Sequence, residues 1–217
     1  MKYIMVLLAT TLISGCAALN RHWDQNPDKP ELQLAQTPAC CAGLSDVQYK
    51  QLPVNFRARL LLDQDDPVFD FDSGKSYMEA LALPESESPL LLQVESLVHY
   101  KNVPLQAHVL FPTITLLDES FNTIGELQDL PYEFDRPLFG PNRLKIVTLL
   151  NGDYSKARYV LIHTSEDRLS QGISSHDPYS IIRYDRFKSM IYSNPAQSHR
   201  QIQFSETGKI NVLAYSS

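Results

Sequence analysis

Leu90-Leu91-Leu92-Gln93-Val94-Glu95-Ser96-Leu97-Val98 is the stretch on which the fold turns. In an extended backbone Leu90, Leu92, Val94, Ser96 and Val98 share one face, while Gln93 and Glu95 fall on the other. That two-residue period predicts a strand with one wet face. Outward from it, Val109–Leu117, Leu144–Leu150, Tyr159–Thr164 and Ile210–Tyr215 are β-branched and aromatic runs of strand length. Turn chemistry stands between such runs at Asp72–Lys75, Asn151–Asp153 and Thr207–Lys209. Pro112 lacks an N–H to donate, which assigns its run to an edge or a bulge. One short helix is expected over Ser45–Leu52, with Ser45 as cap, Val47, Tyr49 and Leu52 as apolar positions and Pro53 as stop. Many short strands behind one helix predict an all-β fold, an antiparallel β-sandwich with one short N-terminal helix.

Ahead of these elements, residues 17–39 are Asn, Gln, Asp, Pro and Thr with scattered apolar side chains, broken by Pro27, Pro30 and Pro38. Such a segment buries too little apolar surface to offset the entropy of ordering and reads as a tether. Trp23 lies within it and is expected to pack near a lipid interface or stand exposed. Further forward, Met1-Lys2 precede an apolar run to Ile13, then Ser14-Gly15-Cys16. The run is too short to span roughly 30 Å of hydrocarbon, and small residues precede the cysteine, as in a secretory signal. Ile13-Ser14-Gly15-Cys16 resembles a lipobox, the bacterial lipoprotein processing site, where the thiol is acylated and the bond before it is cut. The predicted organisation is a signal peptide at 1–15, a lipidated flexible tether at 16–39 and one domain at 40–217. Acyl chains contribute roughly 0.8 kcal/mol per buried methylene, so a bilayer is an expected partner through acylated Cys16. Ala17, where an aspartate would resemble an inner-membrane retention signal, points to the outer membrane.

Cleavage would leave 202 residues (217 minus 15), enough for one good-sized domain. The formal net charge is −6, about −7 without Lys2. No basic patch interleaved with aromatics appears, which argues against nucleic acid. Of three cysteines, Cys16 is used by lipidation. Cys40 and Cys41 are adjacent, so they form either a strained bridge between neighbours or a buried or intermolecular arrangement. They lack the C-x-x-C spacing of redox catalysis.

Several chemistries fail on spacing. Gly74-Lys75-Ser76 hints at a phosphate loop, but Phe69 stands where the upstream glycine is required. Asp63, Asp65, Asp66, Asp70 and Asp72 crowd together as a solvated acidic loop; read as an EF-hand from Asp63, Val68 and Gly74 occupy the glycine and glutamate positions. His22, His99, His108, His163, His176 and His199 show no metal-ligand spacing, and His163 reads as a satisfied core or rim histidine. No G-x-S-x-G elbow exists, and Ser174-Ser175-His176 is too compact for a triad. The expectation is therefore no catalytic residues, no metal and no cofactor.

Four segments in order carry a family resemblance: Cys40-Cys41 ahead of Leu44 and Tyr49; Phe69-Asp70-Phe71-Asp72-Ser73-Gly74-Lys75-Ser76-Tyr77 through Ala80 to Leu83-Pro84; Phe111-Pro112 leading to Leu116-Leu117-Asp118 and Phe121; and Tyr159–Thr164 before Asp167 and Leu169. Together, over residues 40–217, they resemble the maltose operon periplasmic protein family, often called MalM. The resemblance implies a periplasmic location, a β-sandwich body and association with maltose or maltodextrin uptake, and it implies no catalytic residue. The motifs also have structural readings. Gly74 is expected at positive φ in the turn that brings Phe71 and Tyr77 onto the core. Asp118 is expected to form an Asx-turn before Phe121.

The function expected is a non-catalytic accessory lipoprotein on the periplasmic face of the outer membrane, with maltodextrin or an outer-membrane porin as partner. Sugar recognition needs a flat aromatic face and planar polar side chains, and of the eleven tyrosines Tyr132, Tyr154, Tyr179 and Tyr184, in loop-like or mixed stretches, are the candidates, although most tyrosines simply close a core or a strand rim. The alternative is a protein–protein module that docks on a porin or envelope assembly through a sheet edge.

Overall fold

The computed structural model describes residues 34–86, 88–100, 107–169, 171–175 and 200–216. Its strands, in chain order, are β1 (Lys50–Gln51), β2 (Ala58–Leu62), β3 (Val68–Phe71), β4 (Gly74–Tyr77), β5 (Glu79–Ala82), β6 (Leu90–Leu97), β7 (His99–Tyr100), β8 (Ala107–Val109), β9 (Thr113–Leu117), β10 (Thr123–Leu127), β11 (Tyr132–Asp135), β12 (Arg143–Leu150), β13 (Tyr159–His163), β14 (Gly172–Ser175), β15 (Arg200–Phe204) and β16 (Gly208–Ser216). One helical turn, α1, covers Glu166–Leu169. Among the described residues no helix is long and apolar enough to cross a membrane.

Two five-stranded sheets make the sandwich. The first runs β1-β5-β13-β9-β10 and the second β11-β12-β6-β16-β2. All their pairings are antiparallel except β1 with β5. Leu81, Ile114, Leu116, Val160 and Ile162 of the first sheet meet Leu60, Leu62, Leu92, Val94, Leu144, Ile146, Ile210 and Val212 of the second in one core. Each such side chain contributes roughly 1.5–3 kcal/mol by leaving water. The alternation read at Leu90–Val98 is what builds it: Leu90, Leu92 and Val94 point inward from β6.

The first sheet is covered on its other face as well. There Met78, Ala80, Leu117 and Leu161 form a second cluster under Val47, Cys41, Leu44 and Tyr49 of the N-terminal segment and Phe69 and Phe71 of the β3–β4 hairpin. Gly74 closes that hairpin at φ 107°, as expected. Tyr77 joins the main core and Phe71 the second cluster.

The two ends of the sandwich are distinct. β5 leaves the sheet through Leu83-Pro84 and the chain returns at Leu90, so one end carries the loop 83–89, the end of β12 and the start of β13; we call it the Pro84 end. At the opposite end β6 pairs with the root of the β11–β12 hairpin, Leu97 against Arg143. Beside it lies the small sheet β14-β15-β8-β7.

Four expectations change. The helix over Ser45–Leu52 is only a 3-10 turn, Leu44–Asp46. Val47 turns extended (ψ 141°), and the chain then runs as β1 along β5, with the Leu52 N–H bonded to the Ala82 carbonyl, because sheet pairing outweighs a weak local preference. Pro112 does not place its run at an edge. It falls between β8 and β9, where no ladder hydrogen bond is needed, and β9 is an inner strand between β13 and β10. The acidic run is not wholly solvated either. Asp63 and Asp66 are buried in a turn, where the Asp66 carboxylate accepts the Asp63 N–H (2.8 Å) and the Asp63 carboxylate the Asp65 N–H (2.9 Å). Glu95, on the expected wet face, is 3% exposed. Asn211 Nδ2 (2.8 Å) and Gln93 Nε2 (2.8 Å) donate to it, and Arg143 and Arg57 lie at 3.7 and 3.9 Å.

Candidate functional site

At the Pro84 end the chain leaves β12 at Leu150 and turns through Asn151 and Gly152, which sits at φ 55°. A 3-10 turn, Gly152–Lys156, follows, held by the Tyr154 N–H on the Asn151 carbonyl and the Ala157 N–H on the Tyr154 carbonyl. This turn lays Tyr154 against Gly125 of β10. A Cβ at Gly125 would stand 2.6 Å from the tyrosine ring, so only glycine admits the ring there. Arg158 follows, its N–H bonded to the Leu117 carbonyl and its carbonyl to the Leu83 N–H.

Between this turn and the loop 83–89 lies a depression of about 180 Å³, lined by Tyr154, Arg158, Ser86, Ser88, Ser155, Pro84, Pro89, Leu90, Leu150 and Ala157. The lining mixes one aromatic ring, one guanidinium, three hydroxyls and apolar walls. That combination suits a polyhydroxylated ring: apolar surface takes its C–H face, while hydroxyls and guanidinium serve its oxygens.

The residue after Arg158, Tyr159, alternates to the other face of the first sheet and builds a second aromatic feature at the same end. Its ring lies 4.4 Å from Tyr49 and 4.7 Å from Phe121, and Tyr49 and Phe121 are 5.5 Å apart. Phe121 is placed by the expected Asx-turn. Asp118 Oδ1 accepts the N–H groups of Ser120 (2.8 Å) and Asn122 (2.9 Å), and Phe121 takes φ 62°. The hydrogen bond from the Asn122 side chain, and after it the backbone N–H groups of Asn122 and Ser120, hold the Asp118 carboxyl below the usual range. Tyr49 donates its hydroxyl to the Leu44 carbonyl at 2.8 Å. Burial, and secondarily the neighbouring Tyr159, push its pKa to about 12. All three rings are half-buried: Tyr49 and Tyr159 pack on the second cluster, and with Phe121 they form a partly open aromatic shelf.

Of the tyrosines singled out by sequence, Tyr154 stands in the depression. Tyr132 lies elsewhere: 46% exposed on β11, it meets the Phe111 ring edge-on at 5.6 Å. Tyr179 and Tyr184, like Cys16, Trp23, His22, His176 and His199, lie outside the described residues. Cys40 and Cys41 are bridged to each other as neighbours, their Cα atoms 3.8 Å apart. Sequence reasoning missed Arg158, whose only signal is its place before a strand, and the shelf of Tyr49, Phe121 and Tyr159, whose partners are far apart in the chain.

His163, at the other end of β13, is a core histidine. It has no exposure, its ring stacks on Phe71 at 3.7 Å, Nε2 meets Thr115 Oγ1 at 2.9 Å, and Nδ1 lies 3.2 Å from the Thr164 carbonyl. Burial lowers its pKa to about 4, so it is neutral at pH 7. Asp66 moves the opposite way: burial, then the nearby Glu79, raise it to about 8. Glu79 itself is paired with Lys50 at 2.6 Å. Among the described residues no group of three or more His, Cys, Asp or Glu side chains is arranged to hold a metal ion.

The family model for the maltose operon periplasmic protein precursor (MalM) matches residues 73–213, more than half of the chain. The matched span contains both walls of the depression as well as Phe121 and Tyr159, while Cys40-Cys41 and Tyr49 precede it. No curated protein and no solved structure matches the chain.

Proposed function

The chain belongs to the maltose operon periplasmic protein (MalM) family, and from that premise we propose that it is a non-catalytic, lipid-anchored accessory protein on the periplasmic face of the outer membrane that binds maltodextrin at the Pro84 end. The family is one of periplasmic proteins of the maltose operon. The observation that carries the binding reading is the depression in which Tyr154, Arg158 and three serines converge. Ligand pockets for drug-sized molecules run to roughly 300–1,000 Å³. A depression of about 180 Å³ is therefore the size for a single ring, and it takes one unit or one end of a glucan rather than enclosing a long chain. The shelf of Tyr49, Phe121 and Tyr159 supplies a second apolar surface for further units.

The lipid anchor rests on Ile13-Ser14-Gly15-Cys16 and on the polar, proline-punctuated segment that follows it. The non-catalytic reading draws support from the buried His163, which is neutral and committed to core hydrogen bonds. Titration calorimetry with maltoheptaose tests the binding. Heat is expected from the parent, with affinity reduced roughly twofold to tenfold in Tyr154→Ala, the loss of an aromatic contact worth roughly 0.5–1.5 kcal/mol. Absence of heat with the parent removes direct sugar binding. A single dominant porin cross-link in intact cells would then favour the docking alternative.

A further inference from the structure

The β11–β12 hairpin carries the most exposed large hydrophobic side chains among the described residues, Leu138 at 72% and Phe139 at 91%. They are neighbours at the tip of a seven-residue loop, 136–142, between Pro137 and Gly140-Pro141, with Gly140 at φ 95°. The loop is braced at its root. Arg143 clamps Asp135 across the hairpin at 2.5 Å, and the Val98 N–H bonds the Asn142 carbonyl at 2.8 Å. Arg136 lies over the Phe134 ring at 5.2 Å, just behind the tip. A braced finger that ends in Leu-Phe, with a cation one step behind, has the chemistry of a wedge for the lipid interface: apolar tip among acyl chains, guanidinium at phosphate level.

Where the chain enters the body points the same way. β6 runs from Leu90, in the wall of the depression, to Leu97 at the root of the finger, and β12 retraces that path. Finger and depression therefore stand at opposite ends, separated by eight residues of strand, roughly 26 Å. The 3-10 turn Leu34–Gln36 packs on β4. Gly74 of that strand lies so close to Glu166 that a Cβ would stand 2.8 Å from it, and Glu166 lies just past His163, the end of β13 remote from Arg158. The chain thus enters at the finger's end. Between Cys16 and Leu34 there are 18 residue steps, a reach of at most roughly 60 Å.

We propose that Leu138 and Phe139 insert into the lipid surface to which Cys16 is anchored, so that the body stands finger-down with the Pro84 end facing the periplasm. This rests on the lipid-anchored reading. The test uses the acylated mature chain, Cys16 to Ser217, in vesicles of phosphatidylethanolamine and phosphatidylglycerol, with Trp23→Phe to remove the native indole. One reporter is Phe139→Trp and the other, at the Pro84 end, is Ser86→Trp. With brominated acyl chains in the vesicles, the indole at 139 is expected to shift to the blue and lose at least half its emission, while that at 86 is unaffected. A chain that floats with the vesicles but leaves the 139 indole unquenched overturns the wedge and spares the anchor. Equal quenching at both sites overturns the finger-down orientation. A chain that fails to float overturns the anchor and the wedge with it. Both substituted positions are exposed, and unchanged melting temperatures verify the folds.

Discussion

Replacing His163 with glutamine should abolish a definable part of the acid sensitivity of this protein. In the folded chain the imidazole resists protonation down to about pH 4, chiefly because it is buried; in the unfolded chain it titrates near 6.5. Between those values the unfolded state binds a proton that the folded state refuses, so stability falls as pH drops from 6.5 to 4 and levels off below. A shift of about 2.5 units at roughly 1.4 kcal/mol per unit gives a total loss of roughly 3 kcal/mol. Glutamine lacks the proton and keeps an amide to reach Thr115 Oγ1, although the stacking on Phe71 is lost. At pH 7 the variant should be less stable than the parent. That gap should shrink by roughly 3 kcal/mol on going to pH 4, since only the parent's unfolded state takes up a proton at position 163. Urea denaturation of both proteins at half-unit pH steps measures it, and other titrating groups cancel in the difference. A gap that stays constant from pH 7 to pH 4 refutes the assignment of His163 as the buried neutral group.

The raised carboxyl of Asp66 predicts the opposite sign: its stability contribution is present below its unfolded pKa near 3.8 and is lost as pH rises towards 8. Asp66→Asn, which keeps an acceptor for the Asp63 N–H, should raise the melting temperature at pH 7 and leave it almost unchanged at pH 3.5; calorimetric scans at both values check this. Gly125→Ala should force Tyr154 out of its seat, costing about 1–3 kcal/mol in denaturant titrations and weakening any maltoheptaose heat. Glu95→Ala leaves Arg143 and Asn211 without their shared carboxylate and should cost about 3 kcal/mol, with Glu95→Gln milder, both read from urea midpoints.

The strands that form the core announce themselves because burial on one face imposes the two-residue period directly; Leu90–Val98 and Leu144–Leu150 lie within a residue of β6 and β12. Turns fixed by a single residue were equally legible, as at Gly74 and Asp118, where backbone geometry selects the side chain. What escaped was decided by pairing across the fold. Ser45–Leu52 has the marks of a helix, but its fate depends on β5, some thirty residues on, whose edge it extends. Glu95 looks solvated until Asn211, far along the chain, is placed beside it. The depression was half visible: Tyr154 stands out in a loop, whereas Arg158 acquires meaning only when the 83–89 loop closes opposite.

The position of β16 has a consequence for biogenesis. The strand at Gly208–Ser216 is hydrogen-bonded on one side to β6 and on the other to β2, between segments made long before it. Until it has crossed the inner membrane, β6 and β2 have no common neighbour and the second sheet cannot close. Completion of that sheet therefore waits on Gly208–Ser216, a pairing across about 150 residues of the kind that is formed late and slowly.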